Sequence, residues 1–523
     1  MAKSVMTHQF SRVPSAQIPR SSFDRSHGLK TTFDADLLVP IFLDEVLPGD
    51  TLNLKMTGFA RMATPIKPIM DNLFMETFFF FVPNRLVWDN WQKFNGEQDN
   101  PGDTTDYSIP KQGGSQWATG SLGDYFGLPT GHVLPGFNQL PLRGYNLIWN
   151  EWFRDQNLQS SLPVPKGDAA SPAITAVQSR GKRHDYFSSA LPFPFKGDTV
   201  NLPLGSSAPI KTHPDVSSGD PMRITNNVDS GYFQIQKNSG SDLVEYNGPA
   251  GTGPVNNLIA DLSQASASTI NELRQAFQIQ RMQERDARGG TRYTEIVRSH
   301  FGVISPDARL QRPEFLGGGT SMVNVNQVEQ TSQTQTGENA SPQGNLAAYG
   351  TASLSGHGFT RSFTEHGYVI GLINVRADLT YQQGIERLWD RSTRYDFYWP
   401  ALSQLGEQSI LNQEIYSDPT NPSAPANREV FGYQERHAEY RYKPSRITGR
   451  FRSQDAASLD PWHLSESFSS LPALNASFIT PKTPMDRVLA VANEPHFLFD
   501  AYFKYQCARP MPVHGVPGMI DHF

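Results

Sequence analysis

Two carboxylates, Glu435 and Glu439, stand four residues apart in residues 431–445, interleaved with Arg436 and Arg441. Carboxylate pairs do general acid–base work when roughly 5–10 Å separates them. This stretch alternates aromatic and charged residues at a period of two and then stops at Pro444. That pattern predicts a strand. Residues four apart on a strand share a face at about 13 Å, too far for that chemistry. Glu435, Arg436, Glu439 and Arg441 are therefore expected to form a salt-bridge ladder at a subunit-interface strand, with Tyr433, Tyr440 and Tyr442 beside them. The same mixture of rings and cations suits single-stranded nucleic acid, where bases stack and cations track phosphate. The two glutamates oppose that use.

Other chemistry finds no frame. The 13 histidines are scattered, and no HExxH brings two of them to one helical face. A single cysteine, Cys507, excludes an intrachain disulfide and makes a zinc site improbable. At a strand end it reads as a packing residue rather than a nucleophile. Gly317, Gly318 and Gly319 lack GxGxxG spacing, and neither GxxxxGK[ST] nor GxSxG occurs. Loops bearing Asp and Asn offer the oxygens that Ca2+ takes, with no motif behind them, and read as solvated loops. No enzyme, cofactor or metal is expected.

The elements that must position these residues are strands. Hydrophobic residues are 37% and charged residues 18% of the 523, both low, while 42 Gly and 39 Pro favour turns and loops. The 32 Phe, 18 Tyr and 8 Trp still supply a core. Net charge is −6, so any contact with nucleic acid must be local or supplied by a partner. No apolar run approaches the ~18 residues of a membrane span, and no signal-peptide core opens the chain. Alternation at Leu52, Leu54 and Met56, the aromatic run Leu73 to Val82, the β-branched run Tyr368 to Ala377 and the run Phe497 to Tyr505 predict strands at both ends of the chain. The continuous phenylalanines 78–81 predict a strand buried on both faces.

Short helices are expected over 85–94 and 145–153, and loops over 317–345. Thr269 with Glu272 opens a helix that runs to Gly289 and Gly290, with Ile270, Leu273 and Phe277 on one face. Residues 1–30 form a basic arm carrying Arg12, Arg20, Arg25 and Lys30. Residues 31–204 and 291–523 make the core, and 205–290 are inserted. Within the insertion, 205–255 is rich in Ser, Gly, Asn and Asp, and Ile224, Tyr232, Phe233 and Tyr246 could organise a small projecting cap. Strands paired across some 400 residues point to a mainly β jelly roll with large connections, not a βαβ alternation.

Seven stretches, in order, resemble the major capsid proteins of microviruses, most closely the gokushovirus branch. They are Phe10 to Pro14 with Ile18 to Ser21; Phe23 to Ser26; Val46 to Asp50; Phe78 to Arg85 with Trp88 and Trp91; Leu191 to Pro194; Ser299 to Val303 with Pro306 to Arg309; and residues 431–445. The resemblance implies a single eight-stranded antiparallel jelly roll with large loop and short-helix insertions. It implies a self-assembling T=1 icosahedral capsid around circular single-stranded DNA, and an inserted loop that forms surface protrusions for host attachment. Residues 205–255 occupy that place. Partners implied or expected are other copies of the chain, the DNA genome, small basic DNA-binding, minor capsid and scaffolding phage proteins, and a host cell-surface receptor. The implied locations are the virion and, during assembly, the host bacterial cytoplasm. On this reading the basic arm lies on a neighbouring subunit or faces the DNA; otherwise it is a frayed terminus. A carbohydrate-binding β-sandwich, with exposed Trp and Tyr stacking on sugars, is the competing expectation.

Overall fold

The structure, a computed structural model, describes residues 19–114, 116–169, 174–200, 210–212, 235–237, 244–246, 258–260, 270–332, 341–421, 424–491 and 493–515. Contacts divide the chain into two compact units, Met1–Pro194 with Ala287–Phe523, and Phe195–Asp286.

In the first unit, nine strands among the described residues form one antiparallel sheet. They are β1 (Ser21–Asp24), β2 (His27–Phe33), β3 (Val39–Val46), β4 (Thr51–Met62), β5 (Leu73–Pro83), β6 (Glu314–Glu329), β7 (Leu346–Ser362), β8 (Gly367–Ala377) and β9 (Phe497–Arg509). Their order is β1-β9-β4-β7-β6-β5-β8-β3, and β2 also pairs with β9. With β1 and β2 taken as one strand broken at Arg25, this is two four-stranded halves joined through the β6–β7 pair. That order is the eight-stranded jelly roll expected from the sequence. The sheet curls until Phe42 of β3 meets Phe503 and Tyr505 of β9, each at 5.3 Å between ring centres. Insertions occupy residues 84–313 and 378–496.

Period-two patterning drives this arrangement. Leu52, Leu54 and Met56 of β4 point inward, as do Phe497, Phe499, Phe503, Tyr505 and Cys507 of β9. Burial raises the Cys507 thiol and leaves it a core residue. β5 and β8 are buried on both faces. One face joins the main core; the other, with Phe80, Val82, Ile370 and Leu372, is covered by helix α1 (Leu140–Ile148) and by Trp88, Trp117 and Trp149. The continuous phenylalanine run is the sequence such a strand requires.

Four local expectations are corrected. Gly317, Gly318 and Gly319 lie in β6, not in a loop. A Cβ on each would press respectively on the Gly358 carbonyl, the Thr77 carbonyl and the His357 ring, so only glycine fits between the neighbouring strands. The ladder also slips between Phe315 and Gly317, the mark of a bulge. The basic arm does not extend to residue 30, because residues 21–33 are already strands of the sheet. The helix over 85–94 is two separate turns, Asn84–Leu86 and Trp91–Phe94. The helix over 145–153 begins earlier, at Leu140, and ends in a π-turn, Trp149–Phe153.

In the second unit, two short antiparallel ladders are described, Ile210–Thr212 with Leu258–Ala260 and Ile235–Lys237 with Val244–Tyr246. Helix α2 (Ile270–Arg288) follows and ends where Gly289 and Gly290 predict. Its Thr269 cap lies outside the described residues. Helix α3 (Tyr293–Phe301), in the first unit, was not foreseen; it stops at Gly302 in the left-handed conformation.

Candidate assembly surface

The second insertion, together with Tyr186 and Phe187 of the first, folds around a small core separate from those of the sheet. Tyr186, Phe187, Ile410, Ile415, Phe431, Phe478 and Ile479 are buried together. A two-stranded ladder, Glu407–Leu411 with Val430–Glu435, forms its spine. Tyr433 ties this ladder to the preceding connector by a reciprocal backbone pair with Leu191, at 2.8 and 2.9 Å.

The strand expected over residues 431–443 ends at Glu435. His437 takes a left-handed backbone (φ 61°) and a 3-10 turn, Ala438–Tyr440, follows. The period-two pattern therefore does not place Glu435 and Glu439 on one strand face. Their partners lie within the chain. Glu435 pairs with Arg441 and, at 3.4 Å, with Arg288. Glu439 accepts from Arg391 at 3.1 Å and from Gln408 at 2.6 Å. Arg436 donates its backbone N–H to Gly406.

These ion pairs hold up a surface of rings. Arg391 lies 4.4 Å over Tyr440 and 5.4 Å over Phe397, and Arg394 lies 4.7 Å over Trp399. Tyr398 packs edge-on against His437 and beside Tyr440. Asp396 caps its turn through Thr393 and Ser392; their hydrogen bonds pull its carboxyl down to about 2. The rings remain open to solvent. Trp389 is 74% exposed and Tyr395 66%, with Phe397, Tyr398, Trp399, Tyr440 and Tyr442 each between 42% and 56%. A cleft of about 640 Å³ runs between Trp389, Tyr440, Tyr442 and the buried Tyr186. Its floor is Glu414, which accepts from Tyr186 at 3.0 Å and Arg387 at 3.2 Å. Burial raises the Glu414 carboxyl above its ordinary range despite Arg387.

Contiguous exposed apolar surface of this kind marks a contact site, and Trp, Tyr and Arg are the residues that carry interface affinity. The segment 385–402 was not singled out from the sequence. Its signal is compositional: Trp389, Tyr395, Phe397, Tyr398 and Trp399 fall close together among Arg387, Arg391 and Arg394 with no helical or strand period to bury them.

The other expected residues lie elsewhere. Arg12, Ile224, Tyr232 and Phe233 are outside the described residues. Arg20 donates to the Gly49 carbonyl and to Thr51. Arg25 pairs with Asp44, which also takes Tyr505 and Arg509. Lys30 pairs with Asp500 at 3.2 Å. Tyr246 sits opposite Ile235 in its ladder. Among the described residues, no cluster of His, Cys, Asp or Glu is arranged to hold a metal ion, and no helix is long and apolar enough to cross a membrane.

A jelly roll whose long insertions present aromatic contact surface has the build of a shell-forming structural protein. The chain belongs to the capsid protein (F protein) family, whose model matches residues 11–519. It is 49% identical to capsid protein VP1 of Bdellovibrio phage phiMH2K, over 99% of this chain and 98% of that one. It is 46% identical to capsid protein VP1 of Chlamydia phage 1, over 99% and 98%. With capsid protein VP1 of Spiroplasma virus 4 the identity is 37%, over 98% and 97%. All three are microviruses, so the resemblance drawn from the seven stretches is borne out over the whole chain. The protein is a microvirus major capsid protein, a structural protein of the virion rather than an enzyme.

Proposed function

We propose that copies of this chain close into a T=1 icosahedral shell around a circular single-stranded DNA genome, and that the 385–442 surface is a subunit contact. The observation that carries this reading is the exposed aromatic surface itself, standing on a chain whose residues 11–519 match a capsid family. One contact repeated by symmetry makes closure cooperative, so modest pairwise affinity suffices. Burying a half-exposed Tyr or Trp at 25 cal/mol per Å² contributes on the order of 2–4 kcal/mol per ring before losses to ordering. A chain of net charge −6 does not neutralise a genome, so small basic proteins accompany the DNA. Minor capsid and scaffolding proteins take part in assembly in the host cytoplasm. Residues 205–255 form the protrusion that meets the host receptor; their loop-forming composition supports exposure and variation.

The test is electron microscopy of sedimenting particles from cells producing the chain with its phage partners. Uniform small icosahedra containing this chain are expected. Trp389→Ala with Tyr440→Ala should leave the subunit folded but sedimenting slowly. Wild-type chain that never sediments as particles, with those partners present, would overturn the shell reading.

A further inference from the structure

The two halves of the jelly roll differ on their outer faces. That of β5 and β8 is sealed by the first insertion. That of β2, β9, β4 and β7 is open among the described residues except where Tyr125 reaches its edge, and its outward residues are not the neutral polar set of a solvated sheet. β4 presents Lys55, Thr57, Phe59 and Arg61; β9 presents Leu498, Asp500, Tyr502 and Lys504. Phe59 is 52% exposed, Tyr502 55%, and Tyr349 of β7 42%.

Register places these side chains in a stripe. Lys504 lies directly opposite Lys55, Tyr502 opposite Thr57, and Asp500 opposite Phe59. Tyr502 and Phe59 are thus diagonal neighbours, about 7–8 Å apart. Arg61 lies opposite Thr351, and Tyr349 is two residues farther along that strand. Read across the sheet, the stripe runs cation, ring, ring, cation, ring. Beside Phe59 and Arg61 it opens into a groove of about 640 Å³ bounded by Leu29, Tyr125 and Leu498.

Its charges are unbalanced. Lys30 pairs with Asp500 at 3.2 Å. Lys55, Arg61 and Lys504 have no ion pair within 4 Å among the described residues. Other acids sit at the margins: Asp24, held by Ser26 and near enough to Lys504 to feel its charge; Asp124, which accepts from Gly120; and Asp34, whose charge reaches Tyr125. Like charges directly opposite on paired strands destabilise a sheet. The Lys55–Lys504 pair keeps that cost in a chain that is acidic overall. An anion between the two ammonium groups removes it. The half-exposed rings next along the stripe offer stacking surface to a flat group carried by that anion.

We infer that this stripe binds single-stranded DNA: bases stack on Phe59, Tyr502 and Tyr349, while Lys55, Lys504 and Arg61 take phosphates. The inference rests on the genome-enclosing reading and gives that genome a docking face. Bare duplex DNA does not satisfy it, because its bases are already stacked and cannot reach the rings.

The experiment uses full-length protein and a fluorescent 20-nucleotide oligo(dT), with fluorescence anisotropy read across a salt series and a duplex of equal length for comparison. Phe59→Ala with Tyr502→Ala should weaken oligo(dT) binding at least about 25-fold, since each stacked ring contributes roughly a 5- to 150-fold factor. Lys55→Gln with Lys504→Gln should lower the slope of log K against log salt by about 1.4. Because the lysines repel, that variant should melt no lower than wild type. Exposed cations off the stripe, changed as Lys111→Gln with Arg309→Gln, should leave both readings unchanged. Equal binding by the ring variant and wild type overturns the inference. So does a ring variant that binds oligo(dT) normally but no longer forms particles, which would assign the face to a second copy of the chain. Stripe-dependent DNA binding by a protein that never forms particles would sink the shell reading and leave the stripe standing.

Discussion

Glu439 is the carboxylate on which the aromatic surface hangs, so Glu439→Gln is the most informative single change. Its side chain is 13% exposed and that of Arg391 is 11%, at 3.1 Å. At that distance an ion pair is worth about 5 kcal/mol with an effective dielectric near 20. Removing one partner of a buried pair costs about 3–5 kcal/mol. Both groups keep some access to water, and the amide retains one acceptor, so about 2–3 kcal/mol is expected. One acceptor does not serve both Arg391 and Gln408, which share the two carboxylate oxygens. Arg391 already has an Nε without a partner, so its loss of the carboxylate is not absorbed locally. The guanidinium should leave its stack on Tyr440 and Phe397, and the ring surface should loosen as a unit.

Amide hydrogen exchange on the full chain reads this directly. Residues 385–442 should lose protection by roughly 30- to 150-fold, at 1.36 kcal/mol per factor of ten. β4 and β9 should be unchanged, because their core is separate from the one beneath this surface. Particle yield by sedimentation should fall in parallel. Unchanged protection of 385–442, or equal loss across β4 and β9, would refute the claim that Glu439 supports this surface locally.

Gly318→Ala should abolish soluble protein, because its Cβ meets the Thr77 backbone carbonyl rather than a movable side chain; recovery of folded wild-type levels by circular dichroism would contradict this. Glu76 is the half-buried acid of β5, bound by Arg180 and, at 2.8 Å, by Arg376. Burial pushes its carboxyl up, but the two arginines outweigh burial and hold it below the ordinary value. Stability from a depressed carboxylate is present above the unfolded pKa of about 4.3 and lost as pH falls through the folded one. Glu76→Gln should therefore lower the melting temperature at pH 7 and flatten its fall below about pH 4; an acid limb identical to wild type would contradict this. Arg25→Gln removes the guanidinium paired with Asp44 and should weaken the β1–β9 edge more than it lowers DNA content; normal melting with depleted DNA would reverse that assignment.

The sheet was legible because its strands are locally patterned. Leu52, Leu54 and Met56, or Phe497, Phe499 and Phe503, announce an inward face without knowledge of the partner strand. The doubly buried β5 announced itself by losing that alternation. β6 did not. Its three glycines read as a turn because their reason is not local: each is fixed by a backbone or ring from another strand, brought from as far away as Thr77. Arg20, Arg25 and Lys30 misled in the same way. Their run of charge reads as a free arm until Gly49, Asp44 and Asp500 are seen across the sheet.

The contact surface was half legible, and the half that was missed follows from what such a surface is. Residues 431–435 form a strand and carry its period. One left-handed residue, His437, breaks the pattern, and no neighbouring glycine gives warning. Trp389 to Trp399 has no period because none of the described residues buries those rings. They belong to 3-10 turns whose directions are set by Arg391, Arg394 and Asp396, not by amphipathic alternation. On the proposed subunit-contact reading, such a surface leaves no partner in its own sequence for a period to match. What it leaves is excess: more aromatic rings than the local core accepts, held rigid by ion pairs that are complete within the chain. The outer face of β4 and β9 shows the complementary excess, more cations than paired acids. Both excesses are visible only after the core has been accounted for, which is why the packing had to be known before the contacts could be read.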